Sequence, residues 1–419
     1  MEKTILHCDM NNCFASIETK MNPRLRNKPI AVGGDRKKRH GIVLAKSQEA
    51  KAFGVQTGEA IWQAKIKCPE LIIVPPHYEA YLKHSKMAKE IYYEYTNQVE
   101  SFGLDEAWLD VTNSSMLYGS GEQIAETLRR RIKQELGITI SIGLSFNKTF
   151  AKLGSDMKKP DAITVIRRED FRSIVWPLAV DELIGIGKAS KKKLERLNIY
   201  SLGDLAKADP ELLRKKLGIN GYYFWQMANG NDYSPVHDID YLFPVKSIGQ
   251  GTTFIRDLTN NQQVKHGFQM LALKVTKRLI ESGYRAGGLS ISIRNCDLQT
   301  ISLQSQFAYP TMSSIIFVEY AMDLFKAHYK WDRTIRSLRI KAIQLIDAKQ
   351  AIQLQIVKNY SDFEKKEAID QTIYEIKKKF GDDAISFAGM SANDKIPKRL
   401  NEVISLPNMY KEKQIDKDY

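Results

Sequence analysis

The order in which strand and helix signals follow one another constrains this chain most. Residues 4–8 read as a short buried strand that delivers Asp9 at its end. A helix follows over about 13–20 and is stopped by Asn22-Pro23. The spacing of Tyr81, Met87, Ile91 and Tyr95 predicts a helix over 77–97. Two β-prone runs then flank Gly103-Leu-Asp-Glu106, a hairpin with Asp105 and Glu106 at its tip. A helix over about 121–136 and a strand over 138–144 complete the series. Strand, helix, hairpin, helix, strand is the order of a ferredoxin-like unit, here with the compact, basic segment 23–76 inserted in it.

In such a unit the first and central strands are neighbours, so Asp9, Asp105 and Glu106 converge. Crowded carboxylates repel one another unless divalent cations lie between them. Mg²⁺ suits such a set, because it binds through one or two carboxylates together with substrate phosphates. Two such ions would activate an attacking hydroxyl and stabilise the leaving oxygen of an in-line displacement. Taken alone, each of these acids reads equally well as a solvated cap. Strand alternation is taken to turn His7 to the face opposite Asp9, as a satisfied core histidine. Asp110, beyond the hairpin tip, reads as a structural strand residue.

The remainder of the chain has a different character. Residues 170–231 turn helical with short Gly-bearing turns, and 232–244, with two prolines and no periodicity, read as a linker. Residues 245–348 are mixed α/β, with amphipathic helices over about 264–282 and 313–328. In residues 289–294, Leu289, Ile291 and Ile293 oppose Ser290, Ser292 and Arg294. In residues 338–343, Leu338, Ile340 and Ala342 oppose Arg339 and Lys341. One face of that sheet is therefore hydroxyl and cationic, which suits a nucleic-acid backbone as well as plain solvent. Residues 349–419 form a tail with one helix, marked by Phe363, Ile369, Ile373, Ile376 and Phe380, and a charged end, 411–419, that frays.

Composition narrows the partners. With 419 residues, about two to four domains are expected. Lys and Arg number 63 against 49 Asp and Glu, a net charge of +14, which points to a polyanion such as nucleic acid. Cys8, Cys13, Cys68 and Cys296 are too scattered for a disulfide framework or metal knuckles, which fits a reducing cytoplasm. The chain shows neither a signal peptide nor a run of apolar residues long enough for a membrane span.

The stretch Leu6-His-Cys-Asp-Met-Asn-Asn-Cys-Phe-Ala-Ser-Ile-Glu18, followed by Ser101-Phe-Gly-Leu-Asp-Glu-Ala-Trp-Leu-Asp110, resembles the two catalytic motifs of the Y-family translesion DNA polymerases. The DNA polymerase IV branch is the nearest match. Ser145-Phe-Asn-Lys-Thr-Phe-Ala-Lys-Leu-Gly-Ser-Asp-Met-Lys-Lys-Pro160 is similar to a third motif of that family. Leu183-Ile-Gly-Ile-Gly187 falls where the family has a helix-hairpin-helix. The resemblance implies an α+β multidomain fold: a ferredoxin-like palm (1–22 and 77–169), inserted fingers (23–76), a helical thumb (170–231), a linker (232–244), an α/β little finger (245–348) and a C-terminal tail (349–419).

The resemblance also implies roles. Asp9, Asp105 and Glu106 hold two Mg²⁺ ions, with the Met10 carbonyl as an extra ligand. The helix beginning near Asn12 and Cys13 offers amides to a triphosphate, and Phe14 is a steric gate against ribonucleotides. Lys159 is a triphosphate-binding point charge; Asp156, one turn before it, either orients it or is a solvated acid. Gln48 and Lys51 stand where many members carry Tyr and Arg that grip the triphosphate, so the bidentate grip of Arg is lost. Gly185 and Gly187 with Lys188 would meet a DNA phosphate, as would Arg294, Arg339 and Lys341 on the open sheet face. Gln353, Leu354, Ile356 and Val357 resemble a degenerate sliding-clamp-binding peptide, with Val357 where Phe is usual. The expected activity is dNTP addition to a primer 3′-hydroxyl on template DNA during damage bypass, by a cytoplasmic monomer. Two readings compete with it: an inactive DNA- and clamp-binding accessory subunit, and another two-metal palm enzyme such as a nucleotide cyclase.

Overall fold

The structure, a computed structural model, describes residues 2–35, 39, 41–353, 360–382 and 384–385. The peptide residues Leu354, Ile356 and Val357 and the charged end 411–419 lie outside them. The described residues divide into two bodies, one of 2–34 and 42–242, the other of 243–385 with 35, 39 and 41.

In the first body β1 (Ile5–Met10) leads into α1 (Cys13–Met21). The inserted segment supplies β2 (Ile30–Gly33), β3 (Val43–Lys46), α2 (Gln48–Ala52), α3 (Ile61–Lys67) and β4 (Ile72–Val74). These strands form a small sheet ordered β3-β2-β4 with its own core of Ala31, Val43, Ile61 and Leu71. After α4 (Tyr78–Tyr93) come the hairpin strands β5 (Val99–Phe102) and β6 (Glu106–Asp110), α5 (Ser115–Tyr118), α6 (Gly121–Arg131), β7 (Ile140–Ser145), α7 (Lys148–Met157) and β8 (Ile163–Ile166). The large sheet is ordered β5-β6-β1-β7-β8, antiparallel except for the parallel pair β7 and β8. Short helices α8 (Phe171–Val175), α9 (Lys188–Glu195), α10 (Leu202–Lys207), α11 (Pro210–Leu217) and α12 (Ile219–Ala228) pack around Phe171, Leu194, Leu205 and Phe224.

All six residues of β1 are buried, because both faces of the sheet are covered. Leu6, Cys8 and Met10 enter a core shared with Ile91, Ile124 and Leu128. The other face carries Ile5, His7 and Asp9 against α7. That helix lies close to β7 at a glycine: a Cβ on Gly143 would stand 1.9 Å from the Ala151 carbonyl oxygen and 2.5 Å from the Ser155 nitrogen. The missing side chain at Gly143 thus sets how near α7, and every functional group on it, comes to the carboxylates.

The expected linker is anchored to the same face. Asp232 Oδ2 accepts from the Thr149 N–H and hydroxyl at 3.1 and 2.7 Å, in the first turn of α7. Val236 is 2% exposed among Ile5, Trp108 and Ala151. The His237 N–H donates to Glu100 Oε2 at 3.0 Å.

The second body has β9 (Ser247–Leu258), α13 (Asn261–Ser282), β10 (Tyr284–Asn295), β11 (Thr300–Thr311), α14 (Ser314–His328), β12 (Ile335–Asp347) and α15 (Tyr360–Phe380). Its antiparallel sheet is ordered β11-β10-β12-β9. Leu289, Ile291, Ile293, Leu338, Ile340 and Ala342 are buried in one core with α13 and α14, in the alternation the sequence predicts. Phe363 of α15 packs against that core. The buried carboxylate of Asp370 accepts from the hydroxyls of Ser313, at 2.7 Å, and Ser314, at the start of α14.

Candidate active site

β1 runs to Met10, so Asp9 lies inside the strand rather than at its end, held between β6 and β7. Its register partner on β6 is Glu106. Asp105 sits in the hairpin turn, and its carbonyl accepts the Met10 N–H at 3.0 Å, tying the tip to β1. Gly103, at φ +85°, makes that turn possible. Behind it lies Lys89, 4% exposed, with Nζ 3.4 Å from the Gly103 carbonyl. Burial lowers its pKa to about 8, against the pull of Asp105 and Cys13.

Two ammonium groups reach the carboxylates from α7 and the residues after it. Lys152 Nζ is 3.3 Å from Asp9 Oδ2, 2.9 Å from Glu106 Oε2 and 3.1 Å from Asp156 Oδ2. Lys159 Nζ is 2.7 Å from Asp9 Oδ2 and 2.9 Å from Asp156 Oδ1. Asp156 therefore orients Lys159, and Lys152 as well. Sequence reading missed Lys152; its signal was the i, i+4 spacing to Asp156 on one helix face. Burial opposes the charge on Lys152, but Glu106, Asp9 and Asp156 outweigh it and raise its pKa.

His7 corrects an expectation. Residues two apart in a strand share a face, so His7 points the same way as Asp9. It is fully buried, with Nδ1 2.9 Å from the Ser155 hydroxyl and Nε2 3.2 Å from Glu106 Oε2, the latter contact close but poorly aligned. Burial lowers its pKa below the ordinary value. Burial would raise Glu106, but contact with His7 and the charge of Lys152 win and hold it at about 2. Asp105, next in sequence, goes the other way: burial, then Glu106 and Asp9, push it up to about 6. Asp110 lies at the far end of β6, its Oδ1 accepting from the Thr112 N–H at 3.0 Å.

Asn12, in the left-handed region at φ 48°, begins α1 and places no side chain on the helix's first N–H groups. Cys13 is buried, and Phe14 lies half-buried with its ring stacked on Tyr81, centroids 4.2 Å apart. Tyr81 is fixed in turn by a hydrogen bond from its hydroxyl to the buried carboxylate of Glu18, which also meets His77 Nδ1 at 2.9 Å. Asn11, another residue that sequence reading passed over, donates to Ser141 Oγ and accepts the Asp161 N–H, both at 2.9 Å.

Comparison with known proteins fits this geometry. Residues 8–156 match the impB/mucB/samB family, and residues 245–356 match that family's C-terminal domain. The chain is 43% identical over 381 residues to DNA polymerase IV of Acetivibrio thermocellus, covering 91% of this chain and 96% of that protein. DNA polymerase IV of Bacillus velezensis is 37% identical over 383 residues, 91% and 92% of the two chains. The chain belongs to the Y family of DNA polymerases. A solved Y-family DNA polymerase chimera superimposes with a TM-score of 0.72 at 24% identity, over 82% of this chain and 99% of that one. The family's fold is accordingly present: a ferredoxin-like palm, fingers, a helical thumb and an α/β little finger.

Other expected contacts lie away from the carboxylates. Gln48 and Lys51 sit on α2, and among the described residues no hydrogen bond or ion pair joins either to Asp9, Asp105 or Glu106. Gly185 has φ +92°, which only glycine adopts readily. A Cβ on Gly187, just before α9 and Lys188, would meet nothing within 4 Å. On the open face of the second body, Ser290 pairs with Lys341, Ser292 with Arg339 and Arg294 with Ser337. Gly249 and Gly251 stand opposite Lys341 and Arg339 on the far side. The surface is low, hydroxyl-rich and cationic, with no Asp or Glu among those eight residues. Of the clamp-like peptide, only Gln353 falls within the described residues, and it is exposed.

Proposed function

We propose that this chain is a translesion DNA polymerase whose chemistry is centred on Asp9, Asp105 and Glu106. Primer-template DNA and dNTPs are its ligands, and its work depends on a divalent metal. The donor set fits such a metal. Burial, with the negative charges of Glu106 and Asp9 beside it, drives Asp105 up to about 6, a repulsion that a cation would relieve, and oxygen-only carboxylate donors suit a hard cation, Mg²⁺ above others. Among the described residues no three acidic, His or Cys side chains converge on one point; Asp9 and Glu106 share an ammonium group instead. Asp9, Asp105, Glu106 and the Met10 carbonyl would hold two Mg²⁺ ions, and that charge would make the attacking 3′-hydroxyl more acidic and offset the charge on the leaving pyrophosphate.

The chain's own groups do the rest. Lys159 carries a point charge to the phosphates, held ready by Asp156. The first N–H groups of α1, at Cys13 and Phe14, face a triphosphate without competition from an Asn12 cap. The Phe14 ring, kept flat against Tyr81, lies under the sugar and excludes a 2′-hydroxyl. Gln48 and Lys51 supply a weaker phosphate grip than Tyr and Arg. Gly185, Gly187 and Lys188 of the thumb, and Arg294, Arg339 and Lys341 of the little finger, hold backbone phosphates without reading bases. The reading includes a monomer acting in the cytoplasm and tethered to a sliding clamp through Gln353, Leu354, Ile356 and Val357, which would raise its concentration at primer ends. No described helix is long and apolar enough to cross a membrane. The accessory-subunit reading is not favoured, because across 91% of its length the chain is 43% and 37% identical to two DNA polymerase IV relatives.

The observation that carries the proposal is the pairing of Asp9 with Glu106 across β1 and β6, beside Asp105. Extension of a primed template with Mg²⁺ by the wild type and by Glu106→Ala tests it. Loss of several kcal/mol of charge stabilisation predicts a fall of at least about a thousandfold, with circular dichroism unchanged. Equal product from both would refute the assignment.

A further inference from the structure

The Lys152 ammonium lies between the carboxylates of Asp9 and Glu106. Its Nζ is 3.3 Å from Asp9 Oδ2 and 2.9 Å from Glu106 Oε2, so a cation bridging those two oxygens would enter the space the ammonium fills. Like charges cannot share it. The same Nζ has a third partner outside the pair: Asp156 Oδ2 at 3.1 Å, on a carboxylate 38% exposed. The root of the side chain is fixed, because α7 is pressed onto β7 at Gly143. A four-carbon stem ending in a compact charge can nevertheless swing its tip.

We propose that Lys152 is a placeholder for the metal. Its ammonium holds Asp9 and Glu106 together in the metal-free protein and withdraws onto Asp156 when a divalent cation takes its place. Lys152 is thus a positioning residue, and the inference rests on the metal role given above to Asp9 and Glu106. Two consequences follow. The metal-free site is spared bare carboxylate repulsion, and metal affinity before nucleotide arrives is lowered by the work of displacing the ammonium.

The test uses Mn²⁺ as the probe, with the full chain and without DNA or nucleotide. Bound and free ion are measured by electron paramagnetic resonance, and melting temperature is followed in parallel. Lys152→Met is expected to melt lower when metal-free and to bind Mn²⁺ at least ~10-fold tighter, as removal of a competing charge a few ångströms away demands. Lys152→Arg, which keeps the charge, should stay near wild type. Lys158→Met, an exposed charge change in the same segment, should move affinity by less than about twofold at that greater separation. Asp156→Asn removes the retreat and should weaken Mn²⁺ binding; being a surface change, it keeps the test alive if Lys152→Met does not fold. Unchanged or weaker binding by Lys152→Met overturns the proposal, as does tightening by Asp156→Asn or equal tightening by Lys158→Met. Asp9→Asn separates the two readings. Mn²⁺ binding that survives it sinks the metal site itself. Loss of Mn²⁺ in Asp9→Asn without tightening in Lys152→Met sinks only the placeholder.

Discussion

The palm and the little finger are both largely antiparallel sheets with helices packed on them, yet they manage charge in opposite ways. In the palm both sheet faces are covered, and the charged groups crowd one rim: Asp9, Asp105, Glu106, Lys152 and Lys159, with Asp156 behind. In the little finger one face is left open and the charges are spread along rows, Arg339 beside Ser292 and Lys341 beside Ser290. Crowding makes every group depend on its neighbours. Asp105 and Glu106 are adjacent in sequence, yet one is pushed up to about 6 and the other held at about 2. Groups with opposite shifts in one site divide the labour of binding cations and protons, whereas spread charges act separately on a polyanion. A chemical centre tolerates little; a holding surface tolerates much.

Backbone contacts give the widest contrast. Gly143→Val would force a Cβ into the Ala151 carbonyl, an atom that cannot yield, so α7 must lift off the sheet. A loss of at least ~3 kcal/mol by denaturant unfolding is expected, beyond ordinary overpacking, and polymerase activity should go with it. Gly251→Ala in the little finger meets Arg339 Cβ and Nε and the Leu338 carbonyl oxygen at 3.2 Å. Small shifts relieve this, and the cost should be about 1 kcal/mol. Equal costs would break the contrast.

The paired carboxylates predict a pH signature next in size. A carboxyl whose folded pKa lies above its unfolded one binds more protons when folded, so stability falls as pH rises between the two values. For Asp105 that window is about pH 4 to 6. In chelator-treated protein, Asp105→Asn should therefore gain on the wild type across that window, by about 2 kcal/mol once the partial exposure of the carboxyl is allowed for. Glu106→Gln should show the opposite sign. The contribution of Glu106 is present above its unfolded value of about 4.5 and is lost as pH falls towards 2. Melting curves from pH 3 to 7 read both. Parallel curves for the two variants would mean that the crowding does not divide their roles.

Local pattern made much of this legible. Period-two runs located β10 and β12 and told their faces apart, and spacing found α1, α4, α13 and α14 within a few residues. Turn chemistry placed Asp105 and Glu106 at a hairpin. What escaped was long-range. Val236 and Asp232 sit in a segment with no periodicity, and contacts with Thr149 and Ala151, more than 80 positions away, help to anchor it. Lys152 looks like one more lysine on a basic helix until Gly143 brings that helix against β1. The strands β2, β3 and β4 have three or four residues each, too short for alternation to register. His7 was misplaced by a miscount of the strand's own period.

The smallest effects should come from the open face, and their additivity is what distinguishes it. Arg339 and Lys341 are two apart on β12, with side chains on the same side and a glycine of β9 opposite each. Neither makes an ion pair among the described residues, so each is available to one phosphate. Arg339→Ala and Lys341→Ala should each weaken duplex binding uniformly across sequences and make the slope of log affinity against log salt shallower by about 1. The double variant should lose about 2, the plain sum, because distant partners on a flexible backbone do not share a counterion. Primer extension at low salt should change little, since the chemistry lies elsewhere. A double variant that loses much more than the sum, or slopes that do not move, would show that this face is a coupled site like the palm rim and not a row of separate handholds.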